Sequence, residues 1–144
     1  MLRDSATCQE NYRRFVQRVV VAGEAWILSS NNGAASCESN HHDDADVILF
    51  FSDAAYARRA QSQSFPDHEP ERMDLFDLLY RWLPGMSQDG VLAGPNWTGD
   101  LVELEFDPFK LREELESQLS AEQRTRFAER YRQAKELEDN GRSV

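Results

Sequence analysis

The chain has 144 residues, 40% of them hydrophobic, and a formal net charge of −10 at pH 7. This length suits one domain, and the hydrophobic fraction is sufficient for a packed core. The negative charge would repel nucleic-acid phosphates and anionic membrane surfaces, which argues against both as partners. No apolar run approaches the roughly 20 residues that span a bilayer, and the opening MLRDSATCQE lacks the apolar segment of a signal peptide. We therefore expect a cytoplasmic protein.

The first third of the chain predicts a helix followed by a hairpin. Apolar residues at helical spacing between Tyr12 and Val19 follow a Thr7-x-x-Glu10 capping box. We expect this helix to end at Ala22-Gly23. The run Ala25 to Leu28 then predicts a short strand, and Asn32-Gly33 predicts the turn that leads into a return strand.

The VILFF sequence at 47–51 is the most apolar stretch of the chain. A continuous apolar and β-branched run is typical of a strand covered on both faces, so we expect this strand to be central. Ser52-Asp53 then predicts the start of a helix that runs to Gln61. The polar residues 71–74 follow two prolines and suit an edge strand.

A core-facing helix is predicted after Asp74, because apolar residues from Phe76 to Leu83 recur at i, i+3, i+4 and i+7. Pro84 has no amide hydrogen, and Gly85 accepts the positive φ of a C-terminal cap, so we expect the helix to end at about Leu83. The apolar residues 91–93 then predict a short buried strand after a turn.

The last quarter of the chain predicts a strand and two helices. Alternating residues 101–106 suit a half-exposed strand, and Asp107-Pro108 is typical of an N-cap followed by the first helical position. A second capping box, Ser120-x-x-Gln123, starts a C-terminal helix expected at about 120–138. Its inner face would carry Phe127, Tyr131 and Ala134.

These elements predict a single α+β domain over residues 1–144. We expect a mixed, mostly antiparallel sheet of about five or six short strands covered by helices, with a helical C-terminal extension. Strand order cannot be read from this pattern.

Three segments, WIL at 26–28, VILFFSDAAYA at 47–57 and WLPGMSQDGVLAGPNW at 82–97, together resemble the bacterial domain-of-unknown-function family numbered 2750. The matching positions are Trp26; Ser52, Asp53, Tyr56 and Ala57; Trp82 to Gly85; Asp89 and Gly90; and Asn96 and Trp97. The resemblance covers about residues 12–119, and the order of elements is more distantly similar to the SseB-type amino-terminal domain. Neither likeness implies an activity, a cofactor or catalytic residues.

One loop holds residues that could bind a metal: Cys37, His41, His42 and Asp44. Zinc requires about four ligands in a tetrahedral array, whereas adjacent histidines in an irregular loop usually point apart. The alternative is a solvated loop. No phosphate-binding loop and no nucleophile elbow occurs in the sequence, so we predict neither a cofactor nor a catalytic residue.

Trp82, Asn96 and Trp97 are the candidate binding residues. Tryptophan can anchor an interface through its large area and its N–H donor, and a neighbouring asparagine can bind a partner's backbone. The alternative is that Trp82 packs under the sheet and Asn96 holds a turn in place.

The sequence favours a non-enzymatic accessory module that binds a protein partner. The protein would be a monomer or a homodimer through the C-terminal helix, depending on whether Phe127 and Tyr131 find an intramolecular surface. One alternative is an immunity-type protein that neutralises a basic toxin, consistent with the acidic composition. The other is a metal-dependent enzyme that uses His41 and His42.

Overall fold

The computed structural model describes residues 5–39, 44–97 and 104–142. In chain order its elements are α1 Ser5–Ala22, β1 Glu24–Ser30, β2 Gly33–Ala34, β3 Ser36–Glu38, β4 Asp46–Phe50, α2 Ala54–Ser64, β5 Glu69–Asp74, α3 Leu75–Asp77, a π-helical turn Leu78–Trp82, α4 Leu83–Asp89, β6 Leu92–Pro95, α5 Pro108–Ser117 and α6 Ala121–Arg142. Among these residues, no helix is both long and apolar enough to cross a membrane.

The six described strands form two three-stranded sheets. In the first sheet β1 lies between β2 and β5 and is antiparallel to both. In the second sheet β4 lies between β3, which is antiparallel to it, and β6, which is parallel. Two backbone hydrogen bonds of 2.8 Å between Trp26 and Phe51 join the sheets. The predicted α+β class with mixed, mostly antiparallel pairing is confirmed, and its strands are divided between two sheets.

Strand β4 is central, as its sequence predicted. Its alternate side chains point to opposite faces, and each face meets a different apolar cluster. Phe50 belongs to the cluster that includes α1 and the helical run 75–89, whereas Val47, Leu49 and Phe51 belong to the cluster beneath α2. All four side chains are fully buried. The predicted edge strand at 71–74 is also confirmed, as part of β5, which contains one proline and several charges.

The predicted helix end at Leu83 is wrong. Helix α3, the π-helical turn and α4 form one continuous run, 75–89, which ends at Gly90 with a left-handed φ of 72°. Pro84 lies in the first turn of α4, directly after the π-helical turn. A proline inside a helix lacks a donor, and its ring collides with the carbonyl four residues earlier. The wider π-helical turn opens this spacing, so the chain continues past Pro84.

The predicted Thr7-x-x-Glu10 capping box is wrong, because α1 already begins at Ser5, and Asp74 makes no side-chain capping bond at the start of α3.

The other predicted N-caps are confirmed by side-chain hydrogen bonds. Asp53 accepts from the backbone nitrogen of Tyr56 at 2.9 Å, and Asp107 accepts from two backbone nitrogens in the first turn of α5. Ser120 and Gln123 bond reciprocally, at 2.9 and 3.1 Å, at the start of α6. Each of these bonds satisfies a donor that the first turn leaves free.

Half of the predicted strand 101–106 lies outside the described residues. In the described half, residues 104 and 105 are not in a strand, and Phe106 pairs with Ala93 of β6 through two backbone hydrogen bonds of 2.9 Å. This bridge occupies the side of β6 that faces away from β4.

Candidate functional site

Two of the predicted binding residues, Asn96 and Trp97, are buried. Asn96 is 0% exposed and Trp97 is 1% exposed. The amide of Asn96 bonds to Ser52 twice, and the indole Nε1 of Trp97 donates to the backbone oxygen of Leu104 at 2.8 Å. Because their polar atoms are used inside the protein, the structure gives both residues a structural role. They connect the end of β6 to neighbouring segments.

The third residue, Trp82, lies apart from this pair. It is half-buried and packs edge-on against Phe50, with ring centroids 6.3 Å apart. Trp82 packs on the cluster that contains α1, whereas Trp97 belongs to the cluster beneath α2. The three predicted binding residues therefore do not form one recognition surface.

The predicted metal ligands can be placed only in part. His41 and His42 lie outside the described residues. Cys37 is half-buried in β3, and burial raises the pKa of its thiol. Asp44 is exposed, with a φ of 65°. Among the residues that the structure describes, no group of three or more His, Cys, Asp or Glu side chains could hold a metal ion. The metal site stays a prediction.

A groove of about 680 Å³ lies between the helical run 75–89, α5 and α6, and we call it the α5–α6 groove. Its volume is within the range of ligand-binding clefts. The lining residues are Tyr80, Pro84, Phe109, Arg112, Glu116, Leu119, Arg124, Phe127, Ala128 and Tyr131.

The walls of the groove are aromatic. Tyr80 packs edge-on against Tyr131 and Phe127, at centroid distances of 5.5 and 6.5 Å. Phe127 is almost buried, whereas Phe109 is 47% exposed and Tyr131 is 44% exposed. Two large aromatic side chains that the fold leaves in water thus line the same groove. Exposed aromatic area of this kind is typical of an interaction site.

The guanidinium of Arg112 contacts two aromatic rings of this groove. The guanidinium of Arg112 lies 5.5 Å from the ring centroid of Tyr80 and 5.3 Å from that of Phe109. Its Nε donates to Glu116 Oε1 at 3.3 Å, and the hydroxyl of Tyr80 donates to Glu116 Oε2 at 3.0 Å. Both oxygens of Glu116 are therefore in use. Within the described structure, the terminal nitrogens of Arg112 donate to no other residue, so they can bind an acceptor from outside.

The ionisation of Tyr80 follows from these contacts. Burial, the hydrogen bond to Glu116 and the charge of that carboxylate together raise its pKa to about 12, against the smaller lowering effect of the charges of Arg112 and Arg124. The hydroxyl therefore keeps its proton near neutral pH and remains a donor.

Arg124 fixes α6 to the end of α5. Its guanidinium donates to the backbone oxygen of Glu116 at 2.6 Å and to that of Leu119 at 3.3 Å. The last carbonyls of a helix lack intrahelical partners and carry partial negative charge, so a cation there is favourable. This contact sets the width of the groove at one end.

The groove combines aromatic faces with N–H donors. Within the described chain, its charged side chains bond to neighbours in the groove and to backbone oxygens near the end of α5, except for the terminal nitrogens of Arg112.

The sequence indicated some of the residues that line this groove and missed others. It placed Tyr131 on the inner face of α6 and Tyr80 on a core helix, and both contact each other in the groove. It missed Arg112, although the spacing Arg112-x-x-x-Glu116 indicates an i, i+4 pair. The aromatic partners of Arg112 come from another helix and from the start of α5, and only the tertiary fold brings them together.

The chain matches the model of a family described as "Protein of unknown function (DUF2750)" over residues 12–115. The match covers most of the chain, which therefore belongs to this family. No curated protein and no solved structure matches it. The more distant likeness to the SseB-type domain stays a prediction. The match ends at residue 115, within α5 and before α6, so the family segment supplies Tyr80, Phe109 and Arg112 of the groove, and the C-terminal helix supplies the opposite wall.

Proposed function

We propose that this member of the DUF2750 family is a non-enzymatic protein-binding module whose α5–α6 groove takes an acidic protein segment that carries an aromatic or apolar side chain. The observation that carries this proposal is the position of Arg112. Its guanidinium lies over the rings of Tyr80 and Phe109, and its terminal nitrogens remain available. A preorganised arginine in contact with aromatic faces suits a carboxylate that arrives beside an apolar group.

The charge around the groove supports an acidic occupant. The protein as a whole is strongly acidic, yet the described lining of the groove carries two arginines, Arg112 and Arg124, and one carboxylate, Glu116. The carboxylate that lines the groove, Glu116, is already bonded at both oxygens. The groove is thus a local exception to the negative field of the protein, and such an exception favours an acidic ligand.

The aromatic anion 8-anilinonaphthalene-1-sulfonate tests this chemistry, because it combines apolar rings with one negative charge. We expect saturable binding to the folded protein, followed by dye fluorescence. The variant Arg112→Gln should weaken binding about tenfold, the effect of losing one hydrogen bond to a charged group. Phe109→Ser should also weaken it, because an exposed ring of the groove is lost.

Two matched variants control for general effects of charge and exposure. Arg58→Gln removes an exposed arginine from α2, and Val21→Ser removes a side chain that is 87% exposed on α1. Both should bind the dye like the parent protein. Since the dye also binds partly unfolded chains, each variant must show a cooperative unfolding transition. Equal binding by Arg112→Gln and Arg58→Gln would contradict the proposed function.

A further inference from the structure

We infer that the segment which fills the α5–α6 groove is helix α6 of a second copy of this chain, packed antiparallel in a symmetric homodimer. This inference rests on the proposed function of the groove and names its partner. Three features of α6 carry it: the length that extends beyond the core, the order of residues along one stripe, and the distribution of charge.

The last part of α6 is exposed. Arg130 still binds Asp74 at 2.6 Å, and Tyr131 packs on Tyr80. The described side chains at 132–139 are all exposed except the half-buried Ala134. At about 1.5 Å per residue, these eight positions extend roughly 12 Å. A helix end of this length is marginal in water unless another surface covers one face. The partly exposed ring of Tyr131 lies at the start of this part of the helix.

One stripe of α6 is complementary to itself. Arg124, Tyr131 and Glu138 are seven residues apart, so they lie along one line of the helix, two turns from each other. Arg124 and Tyr131 both line the groove. When two such helices pack antiparallel about Tyr131, Arg124 of each copy faces Glu138 of the other. A residue that contacts its own copy on the axis defines a closed, two-fold interface.

The neighbours of Tyr131 on this stripe are small. Ala128 and Ala134 stand three residues before and three residues after it. In the antiparallel arrangement, Ala128 of one copy comes opposite Ala134 of the other. Small side chains at these positions let two helix backbones approach closely on both sides of the tyrosine pair.

The charge distribution selects the antiparallel direction. Residues 122–135 carry five basic and two acidic side chains, whereas residues 136–139 carry three acidic side chains and no basic one. Antiparallel packing places the acidic end of one helix beside the basic part of the other. Parallel packing would align like charges. The acidic end of α6 thus supplies the carboxylates that we propose as ligands of the groove in the other copy.

The mass in solution tests the dimer directly. We expect light scattering to give twice the chain mass of 16.6 kDa at high protein concentration and a lower mass on dilution. Tyr131→Arg should give a monomer at all concentrations, because it places two arginines against each other on the axis. Glu138→Arg should weaken the dimer by facing Arg124 with a like charge.

Leu137→Arg is the matched control on the same helix. Leu137 is 74% exposed, but it stands six residues after Tyr131 and therefore lies about 120° away around the helix. This variant introduces the same charge off the stripe and should dimerise like the parent protein. If Tyr131→Arg and Leu137→Arg disrupt the dimer equally, or if neither variant disrupts it, the inference is overturned.

Cross-linking locates the axis. In a Cys8→Ser/Cys37→Ser background, Tyr131→Cys should give a covalent dimer under mild oxidation with diamide, because two copies of residue 131 face each other. Leu137→Cys should remain monomeric under the same conditions. The reverse pattern would place the contact on another face of α6 and overturn the proposed packing.

The two proposals fail in different ways. A protein that is monomeric at every concentration, but whose dye binding depends on Arg112, would retain a binding groove and lose the second copy as its occupant. A dimer that requires Tyr131, in a protein whose dye binding is insensitive to Arg112, would retain self-association and contradict the proposed ligand chemistry. Competition between dimer formation and dye binding would support both.

Discussion

The buried side chain of Asn96 holds Ser52 through two hydrogen bonds. Asn96 Oδ1 accepts from the backbone nitrogen of Ser52 at 2.8 Å, and Nδ2 donates to Ser52 Oγ at 3.0 Å. The backbone nitrogen of Asn96 also donates to the oxygen of Phe50 at 2.7 Å. These bonds join the end of β6 to the connection between β4 and α2. The φ of 51° at Asn96 is left-handed, a conformation that asparagine tolerates better than most residues.

Replacement of this amide should destabilise the protein strongly. We expect Asn96→Ala to lower the free energy of unfolding by about 3 kcal/mol, because it leaves buried groups of Ser52 unpaired and because alanine tolerates a left-handed backbone less well than asparagine. Asn96→Gly should lose about 1 kcal/mol less, since glycine accepts this φ. Urea denaturation measures both. Asn31→Ala, in the exposed turn of the hairpin, should remain within about 0.5 kcal/mol of the parent.

Alanine substitutions at two glycines should change the stability of the protein in opposite directions. A Cβ at Gly94 would lie 2.7 Å from Trp97 Cε2 and 2.9 Å from Val47 Cγ1, so Gly94→Ala should cost about 2 kcal/mol or more through overpacking. A Cβ at Gly85 meets no atom within 4 Å. Because Gly85 lies inside α4, Gly85→Ala should stabilise by about 0.5 to 1 kcal/mol. Thermal unfolding of both variants checks this, and equal shifts would contradict the described packing of Trp97.

The local elements of this fold could be predicted because short-range chemistry determines them. Asp53, Asp107 and the Ser120–Gln123 pair all cap helices as expected, since a capping side chain acts within three residues of its own position. The apolar run of β4 predicted its central place for a similar reason. A strand covered on both faces must be apolar at successive positions.

The features that depend on distant contacts could not be predicted in this way. Pro84 and Gly85 together indicated a helix end, but the π-helical turn before them lets the helix continue to Gly90. For Asn96 and Trp97 the sequence left open both a surface and a structural role, and it does not show their hydrogen-bond partners, Ser52 and Leu104. The α5–α6 groove combines side chains from three parts of the chain, and no local pattern brings those parts together.

Removal of one buried hydroxyl should not lower the free energy of unfolding of the protein. The hydroxyl oxygen of Tyr12 is buried and has no hydrogen-bond partner among the described residues, while its ring stacks on Phe106 at 4.2 Å. Tyr12→Phe keeps the stacking and removes the unpaired group, so stability should be unchanged or rise by about 1 kcal/mol. Tyr80→Phe, which loses the bond to Glu116, should instead cost about 1 kcal/mol. If Tyr12→Phe costs as much as Tyr80→Phe in urea denaturation, the hydroxyl of Tyr12 has a partner in solution.

The ionisation of Tyr80 should make the protein less stable in alkali. Burial and Glu116 raise its pKa from 10.0 to about 12 in the folded state, so the folded protein retains a proton that the unfolded chain loses. The contribution of this group is complete below pH 10 and disappears as the pH rises towards about 12. We expect the free energy of unfolding to fall over this interval, and to fall less in Tyr80→Phe.

The same pKa can be observed directly from the ultraviolet absorbance of tyrosinate. The difference between the titration curves of the parent and Tyr80→Phe should show one ionisation at about pH 12. Glu116→Gln should move it to lower pH, because both the acceptor charge and the hydrogen bond to a carboxylate are lost, while burial keeps it above 10. Glu113→Gln, an exposed acid on the same helix, should leave it unchanged. A shift of equal size in both variants would mean that the general negative field, and not the contact with Glu116, holds the proton on Tyr80.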